Sequence, residues 1–337
     1  MLDNSAGVPL LAQALNRQIV KSERANVVLR TFDFSDMYTN IELSSLKSQV
    51  GKLLDWIFAH QKKVNSKFSV VTVSRGADAS ATWSQCSVTD NSNRKCFGVE
   101  KLKRWFNFLV DNVYLSFSKD FILRQRIGIP MGTNAAVFIA NLFCFTYEYE
   151  FVTRCVNAGR VDLLSKFRYT MRYIDDLLSA DNSLFEKYIY LSQVDSQGIK
   201  GIYPDFLTLN CEQEGQEVSF LDALLFRHKN VFLTKVYDKR EHPPLSSIQR
   251  LRYPHVSCFL SDRSKYGIVT SRLYCFSRLC LRRSDFIYRL RIFARDFLAR
   301  GYCRSRVERT IRKFLRSMPL SFPVERVGSL ARLVTSA

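Results

Sequence analysis

Along residues 26–38, NVVLRTFDFSDMY, β-branched and aromatic residues dominate and then give way to a polar turn. That is the pattern of a strand carrying Asp33 near its C-terminal end. Helices are predicted over 42–60 and over 99–117, VEKLKRWFNFLVDNVYLSF, where apolar residues recur at helical spacing. The polar, Ser/Asn-rich stretch 74–96 reads as a loop or weak hairpin. A turn with two glycines and a proline, RQRIGIPMGTN, runs into a long apolar helix at about 134–151. KFRYTMRYIDDLLSADN then reads as a β-hairpin with Asp175 and Asp176 at its tip. A second hairpin is predicted over 218–240, turning at His228 to Asn230. Residues 1–24 form a helical or irregular lead-in, and beyond 255 the pattern is helical. There Ser284 or Asp285 can cap a helix closed by Gly301, and SRVE at 305–308 is a capping-box signature opening the next.

Composition narrows the class. At 337 residues and 47% hydrophobic, the chain can bury one large core or two ordinary ones. The longest apolar run, AAVFIANLFCF, is too short to span a bilayer, and the N-terminus has no basic segment of a secretory signal. The expectation is a soluble, intracellular protein without a membrane partner. Nine scattered cysteines with no CxxC argue for reduced thiols rather than a disulfide frame or zinc site. From Lys239 onward there are 22 Lys/Arg against 6 Asp/Glu, so this stretch carries most of the net charge of +19. Aromatics interleave with the basic residues, which points to a polyanion such as nucleic acid, the alternatives being a solvated helix face or a membrane-surface helix.

In so basic a chain, two adjacent aspartates flanked by apolar strands repel each other and resist burial unless a cation joins them. Two-metal phosphoryl transfer needs carboxylates converging from separate elements, and Asp33 and the Asp175–Asp176 pair are such a set if folding unites them. Taken one at a time, the residues also have plain structural readings: Asp33 as a turn or cap residue, Tyr38 as core, Gly132 as a turn glycine. His228 and His255 read as surface residues.

YIDD after an apolar strand resembles the metal-binding motif of reverse transcriptases. FDFSDMYTNI resembles their first carboxylate motif, and GIPMGT…ANLF the template- and nucleotide-positioning turn between them. With the downstream FLD, VYDKR and basic helical tail, the chain over about 26–316 is most similar to Penelope-like retroelement reverse transcriptases, relatives of telomerase. The resemblance implies an α+β fold, a right-hand polymerase palm of antiparallel sheet flanked by helices, followed by an all-helical thumb. It divides the chain into a lead-in or residual fingers at 1–25, a palm at 26–240 with a partial fingers insertion at about 60–125, and a basic helical thumb at 241–337.

The resemblance also implies the chemistry: RNA-directed DNA synthesis with two Mg²⁺ ions, or Mn²⁺ in their place, adding deoxynucleotides to a DNA primer paired with an RNA template. Asp33 and Asp175 hold the metals with the backbone carbonyl of Phe34, and Asp176 supports them. Asp36 and Tyr38 meet the incoming nucleotide, where a bulky ring at Tyr38 excludes a 2′-hydroxyl and so disfavours an RNA polymerase. Pro130, Met131 and Gly132 line the templating base pair. Phe220, Leu221 and Asp222 begin the primer grip, and Lys200 is a candidate proton donor to pyrophosphate, against the plain reading of a solvated lysine. Arg282, Arg283, Arg289, Arg291, Arg304, Arg306, Arg312 and Lys313 hold the duplex.

Three departures stand beside these matches. Only 32 residues precede Asp33, and Arg17, Lys21, Arg24 and Arg30 form no recognisable fingers motif. There is no GIY-YIG nuclease pattern, and the prolines usual after the GIPMGT turn are missing. The chain is therefore expected to be the palm and thumb of a longer polyprotein whose fingers or nuclease portions act as partners, the product of a gene model missing an upstream exon, or a decayed or repurposed copy. The alternative is a catalytically inactive remnant that binds nucleic acid. A retroelement enzyme is expected in the nucleus.

Overall fold

The structure is a computed structural model that describes residues 5–22, 27–74, 80–85, 90–118, 121–129, 131, 133–241, 243 and 251–318. In chain order the elements are α1 (Gly7–Ser22), β1 (Leu29–Ser35), α2 (Met37–Asn40), α3 (Leu43–Val64), β2 (Phe68–Ser74), β3 (Ala81–Gln85), β4 (Arg94–Phe97) and α4 (Val99–Asp111). They continue with β5 (Tyr114–Ser118), β6 (Phe121–Arg124), α5 (Ala136–Asn157), α6 (Val161–Lys166), β7 (Thr170–Tyr173), β8 (Asp176–Ala180) and β9 (Thr208–Gly215). The last are β10 (Glu217–Phe220), β11 (Ala223–His228), β12 (Val231–Val236), α7 (Asp262–Leu279), α8 (Arg283–Leu298) and α9 (Arg304–Ser317). This is the α+β arrangement expected, antiparallel hairpins and flanking helices leading into an all-helical C-terminal part. No described helix is long and apolar enough to cross a membrane.

The chain divides into two compact units, one comprising Asp33–Arg168 and Ser183–Asn210, the other Leu2–Phe32, Tyr169–Asn182 and Cys211–Ala337. In the second unit a four-stranded sheet runs in the order β7-β8-β1-β9, to which β1 and β9 contribute the residues they have in that unit. A three-stranded antiparallel sheet, β10-β11-β12, lies beside it in the same core. Val8, Leu11, Ala12 and Leu15, one apolar stripe of α1, are buried there with Leu178, Ala180, Val218 and Phe232. Asn16 fixes the register of α1 on β12, its amide both donating to the Phe232 carbonyl (2.8 Å) and accepting from the Phe232 N–H (2.6 Å). The helices α7, α8 and α9 close around a second core of Val269, Leu273, Phe286, Leu290, Phe297 and Ile311.

Several boundaries differ from the sequence reading. The polar stretch 74–96, read as a loop or weak hairpin, does hold paired strands, β3 and β4 each pairing with β2, whose Val/Thr alternation in FSVVTVS favours a strand. The helix predicted over 99–117 stops at Asp111, and VYLSF becomes β5 paired with β6. Asn112 ends the helix at φ −112°, ψ 53°, and the β-branched and aromatic run after it favours a strand. Neither Ser284 nor Asp285 caps α8. Asp285 instead takes Arg282 at 2.7 Å. Ser305 does not cap α9 either, since the helix starts at Arg304, and Glu308 sits inside it paired with Arg312. The true cap is Ser261, whose hydroxyl accepts from the Ser264 N–H at the start of α7.

In the first unit the segment after α6 is held by Asp195, whose side chain is 4% exposed. Its carboxylate accepts from the Tyr188 hydroxyl (2.7 Å), the Ile199 N–H (2.8 Å), the Gln197 N–H (2.9 Å) and Arg160 (3.2 Å). Burial alone would raise its pKa, but these donors outweigh burial and hold it at about 2. A carboxylate depressed on folding contributes stability that is present above its unfolded value and is lost as pH falls through its folded value. Acid titration should therefore remove this contribution between about pH 4 and about pH 2. The variant Asp195→Asn is expected to melt at a lower temperature at pH 7 and to lack that part of the acid-unfolding curve. An acid limb identical to the wild type would show that the titrating groups lie elsewhere.

Candidate active site

The hairpin β7–β8 is the most sharply defined chemical feature. Its register pairs Thr170 with Ser179, Met171 with Leu178, Arg172 with Leu177 and Tyr173 with Asp176. This leaves a two-residue turn, Ile174 and Asp175. Ile174 lies at φ 56°, a conformation that two-residue hairpin turns ordinarily give to glycine and that a β-branched residue adopts only under strain. Its carbonyl accepts a hydrogen bond from Arg172 Nη1 at 2.9 Å, and Arg172 is itself buried, 3% exposed. A buried cation thus fastens the strained turn from below, while Asp175 and Asp176 stay half-exposed at the tip. Backbone strain of about 1–3 kcal/mol persists only where surrounding structure over-determines it.

The hairpin offers two neighbouring carboxylates and no thiol or imidazole, a donor set suited to a hard divalent cation. Among the described residues no group of three His, Cys, Asp or Glu is gathered to hold a metal.

In the first unit Asp33 is half-exposed on β1 between Phe32 and Phe34, which are buried at 2% and 3% exposure. Phe34 packs edge-on against Tyr203 at 4.9 Å. Asp36 follows at φ 54°, and its carbonyl accepts from the N–H groups of Thr39 and Asn40 at 3.0 Å each, which starts the single turn α2. Tyr38, half-buried, is stitched by its backbone to the glycine turn. The Ile129 N–H donates to the Tyr38 carbonyl at 2.6 Å, and the Gly128 N–H to the Ile41 carbonyl at 2.8 Å. The segment 33–41 and the start of the glycine turn, Gly128 and Ile129, are therefore joined main chain to main chain within one unit.

Gly128 makes that junction possible. It sits at φ +83°, and a Cβ there would lie 2.4 Å from the Tyr38 carbonyl oxygen. Both the backbone conformation and the close approach require glycine. The substitution Gly128→Ala is expected to cost at least about 2 kcal/mol, since strain alone costs about 1–3 and the clash is with backbone. A denaturant midpoint equal to that of the wild type would refute this close approach.

The other sequence-derived residues are distributed as follows. Met131 is exposed at 71%, and Pro130 and Gly132 lie outside the described residues. Lys200 is exposed beside Ile199, in the segment that Asp195 holds. Phe220 is buried, Leu221 (φ 54°) and Asp222 make the tight β10–β11 turn, and the Asp222 carbonyl accepts from the Tyr237 N–H. In the helical part Arg283, Arg291, Arg304 and Lys313 are exposed. Arg289 is not available to a partner: it is 8% exposed and bonded to Asp238 and Glu241. Arg282 binds Asp285 and lies over the Phe226 ring, Arg306 binds Asp262 and stacks 3.8 Å from the Tyr266 ring centroid, and Arg312 binds Glu308. Sequence reasoning missed Arg172, Ile174 and Gly128. The signal for Arg172 was a single cation inside an otherwise apolar strand.

Solved telomerases are similar to this chain. Telomerase from Candida albicans, in complex with a TWJ fragment of telomeric RNA, covers 99% of this chain and 55% of its own at 10% identity and a TM-score of 0.45. Apo telomerase from Candida tropicalis covers 99% and 53% at 11% identity and a TM-score of 0.45. The chain spans about half the length of these telomerases. No protein-family model and no curated protein matches the sequence.

Proposed function

We propose that the chain is an RNA-directed DNA polymerase of the retroelement reverse-transcriptase kind, most similar to the Penelope-like group, with β1, β7 and β8 in its palm and α7–α9 as its thumb. The observation that carries this reading is the strained YIDD hairpin, whose buried Arg172 fixes a turn bearing two adjacent carboxylates. Nothing in a hairpin tip needs two carboxylates for folding, and strain at a charged turn is the mark of a functional constraint.

In this reading Asp33, Asp175 and the Phe34 carbonyl would hold two Mg²⁺ ions, with Asp176 in support. The ions, when bound, lower the pKa of the primer 3′-hydroxyl and neutralise charge on the triphosphate. The protein's own part is positioning. Tyr38 would place a ring against the sugar face, and its attachment to Ile129 would set the distance between nucleotide and templating base. Asp36, at the start of α2, would present its backbone N–H to the triphosphate. Lys200, exposed to solvent, would be a proton donor to pyrophosphate. The Phe220–Asp222 turn grips the primer strand.

The exposed cations of the helical part favour a second reading, a nucleic-acid-binding remnant without catalysis. The two share one prediction. Binding to an RNA/DNA hybrid should weaken steeply with salt, and replacing Arg291, Arg304 and Lys313 together by Ala should reduce the slope of log K against log salt by about 2–3. Affinity independent of salt would exclude both. Primer extension separates them: the polymerase extends a DNA primer on an RNA template with dNTPs and Mg²⁺ and stops in EDTA, whereas the remnant binds the hybrid and extends nothing.

A further inference from the structure

The second unit contains a cavity of about 400 Å³ bounded by the β10–β11 turn, the end of β12 and the facing sides of α7 and α8. Its size falls in the range of small-molecule sites, about 300–1,000 Å³. Arg240, Arg252, Arg272 and Arg289 line it, against the carboxylates of Asp222 and Asp238. Three of the arginines are matched. Arg240 donates to both oxygens of Asp238 at 2.8 Å, and Arg289 reaches Asp238 at 3.0 Å. Arg252 meets Glu241 at 3.2 Å and Asp296 at 3.3 Å. Although burial opposes it, this ring of guanidiniums holds the Asp238 carboxyl far below the usual range.

Arg272 differs from the other three. It is half-buried on α7 and has no carboxylate partner among the described residues. Beside it on the cavity wall are Cys275 and Tyr253. A guanidinium carries five donors in a planar fork matched to phosphate oxygens, and half-burial without a counter-ion leaves most of them unused. The wall nearby is aromatic. Tyr253 is locked edge-on against Phe293 at 5.2 Å and Phe297 at 5.6 Å, and Phe276 and Phe293 complete the lining. An unmatched guanidinium beside fixed aromatic rings, in a cavity of this volume, suits a ligand that is both phosphorylated and planar.

We propose that this cavity binds a nucleoside monophosphate, its phosphate on Arg272 and its base against Tyr253. The cavity shares the Leu221–Asp222 turn with the proposed primer grip but neither carboxylate of the YIDD hairpin lines it, and it needs no metal, so it can be tested with EDTA present, where metal-dependent binding is silent. Calorimetric titration of the full chain in EDTA with adenosine 5′-monophosphate should show saturable binding. Adenosine should show none, and inorganic phosphate should bind at least about tenfold more weakly. Arg272→Ala should weaken binding at least about tenfold and Arg272→Lys by less, while Arg278→Ala, exposed on the same helix, should stay within about twofold of the wild type. Melting curves of each variant establish that it is folded. A 5′-phosphorylated dinucleotide distinguishes the sources of the phosphomonoester, since tighter binding than the mononucleotide marks a strand end and weaker binding a free nucleotide. No saturation by the mononucleotide up to about 10 mM, a folded Arg272→Lys or Arg272→Ala protein that binds as the wild type does, or equal loss in Arg278→Ala would overturn the proposal.

Discussion

Asp175→Asn is expected to lower the single-turnover rate of nucleotide addition at least about a thousandfold while leaving the affinity for an RNA/DNA hybrid within about twofold. Asparagine keeps the size and one acceptor oxygen of the aspartate but removes the charge, so the tip of the hairpin retains its shape and loses its cation. The strained Ile174 and its bond from Arg172 involve backbone and do not depend on the substituted carboxylate. The exposed cations of α8 and α9 are untouched, which is why hybrid affinity is expected to hold. Gel-based extension and a filter-binding titration on the same preparations give both numbers. A variant that extends primers at the wild-type rate would remove Asp175 from the chemistry.

Tyr38→Ala is expected to reduce the preference for deoxy- over ribonucleotides, measured as the ratio of kcat/KM values, by about a hundredfold. The segment that bears the ring is held by the Tyr38 carbonyl, which takes the Ile129 N–H, and by Met37, which is buried against Cys144. Removing the ring opens space without releasing the segment. Tyr38→Phe should leave the ratio unchanged, because the steric argument uses the ring and not the hydroxyl. If ribonucleotides are already used as well as deoxynucleotides by the wild type, the reading of Tyr38 as an exclusion residue fails and an RNA polymerase becomes the better account.

Much of the architecture was legible where the pattern was strong. The β7–β8 and β11–β12 hairpins, the strand bearing Asp33, the long α5 and the helical C-terminal part all follow from alternation, helical spacing and turn residues. The legible features fail where two signals compete. VYLSF continues the apolar spacing of α4 but carries strand formers, and pairing with β6 decides in favour of the strand. Ser305 and Glu308 match a capping box, yet Glu308 finds Arg312 four residues on, one helical turn away.

At the candidate site the carboxylates could be read from the chain, but what fixes them could not. No local pattern announces that the Ile174 carbonyl needs a buried arginine, or that the Gly128 backbone must approach Tyr38 at a distance no Cβ allows. Both depend on contacts between parts of the chain that only folding brings together. Charge was legible in amount and misleading in detail. The basic count of the C-terminal part is real, but Arg289 and its neighbours are spent on Asp238 and Glu241 inside the fold, and the cations left for a partner are fewer than the count suggests.

The measurement that bears most directly on the central claim is a double-mutant cycle in single-turnover primer extension, comparing the wild type, Asp33→Asn, Asp175→Asn and the double variant on an RNA template with Mg²⁺ and one dNTP. Residues that act as a unit are strongly non-additive. The account predicts that each single variant loses nearly all activity and that the double variant is no worse than either. Losses that multiply, or a single variant that retains wild-type extension, would contradict a shared metal site.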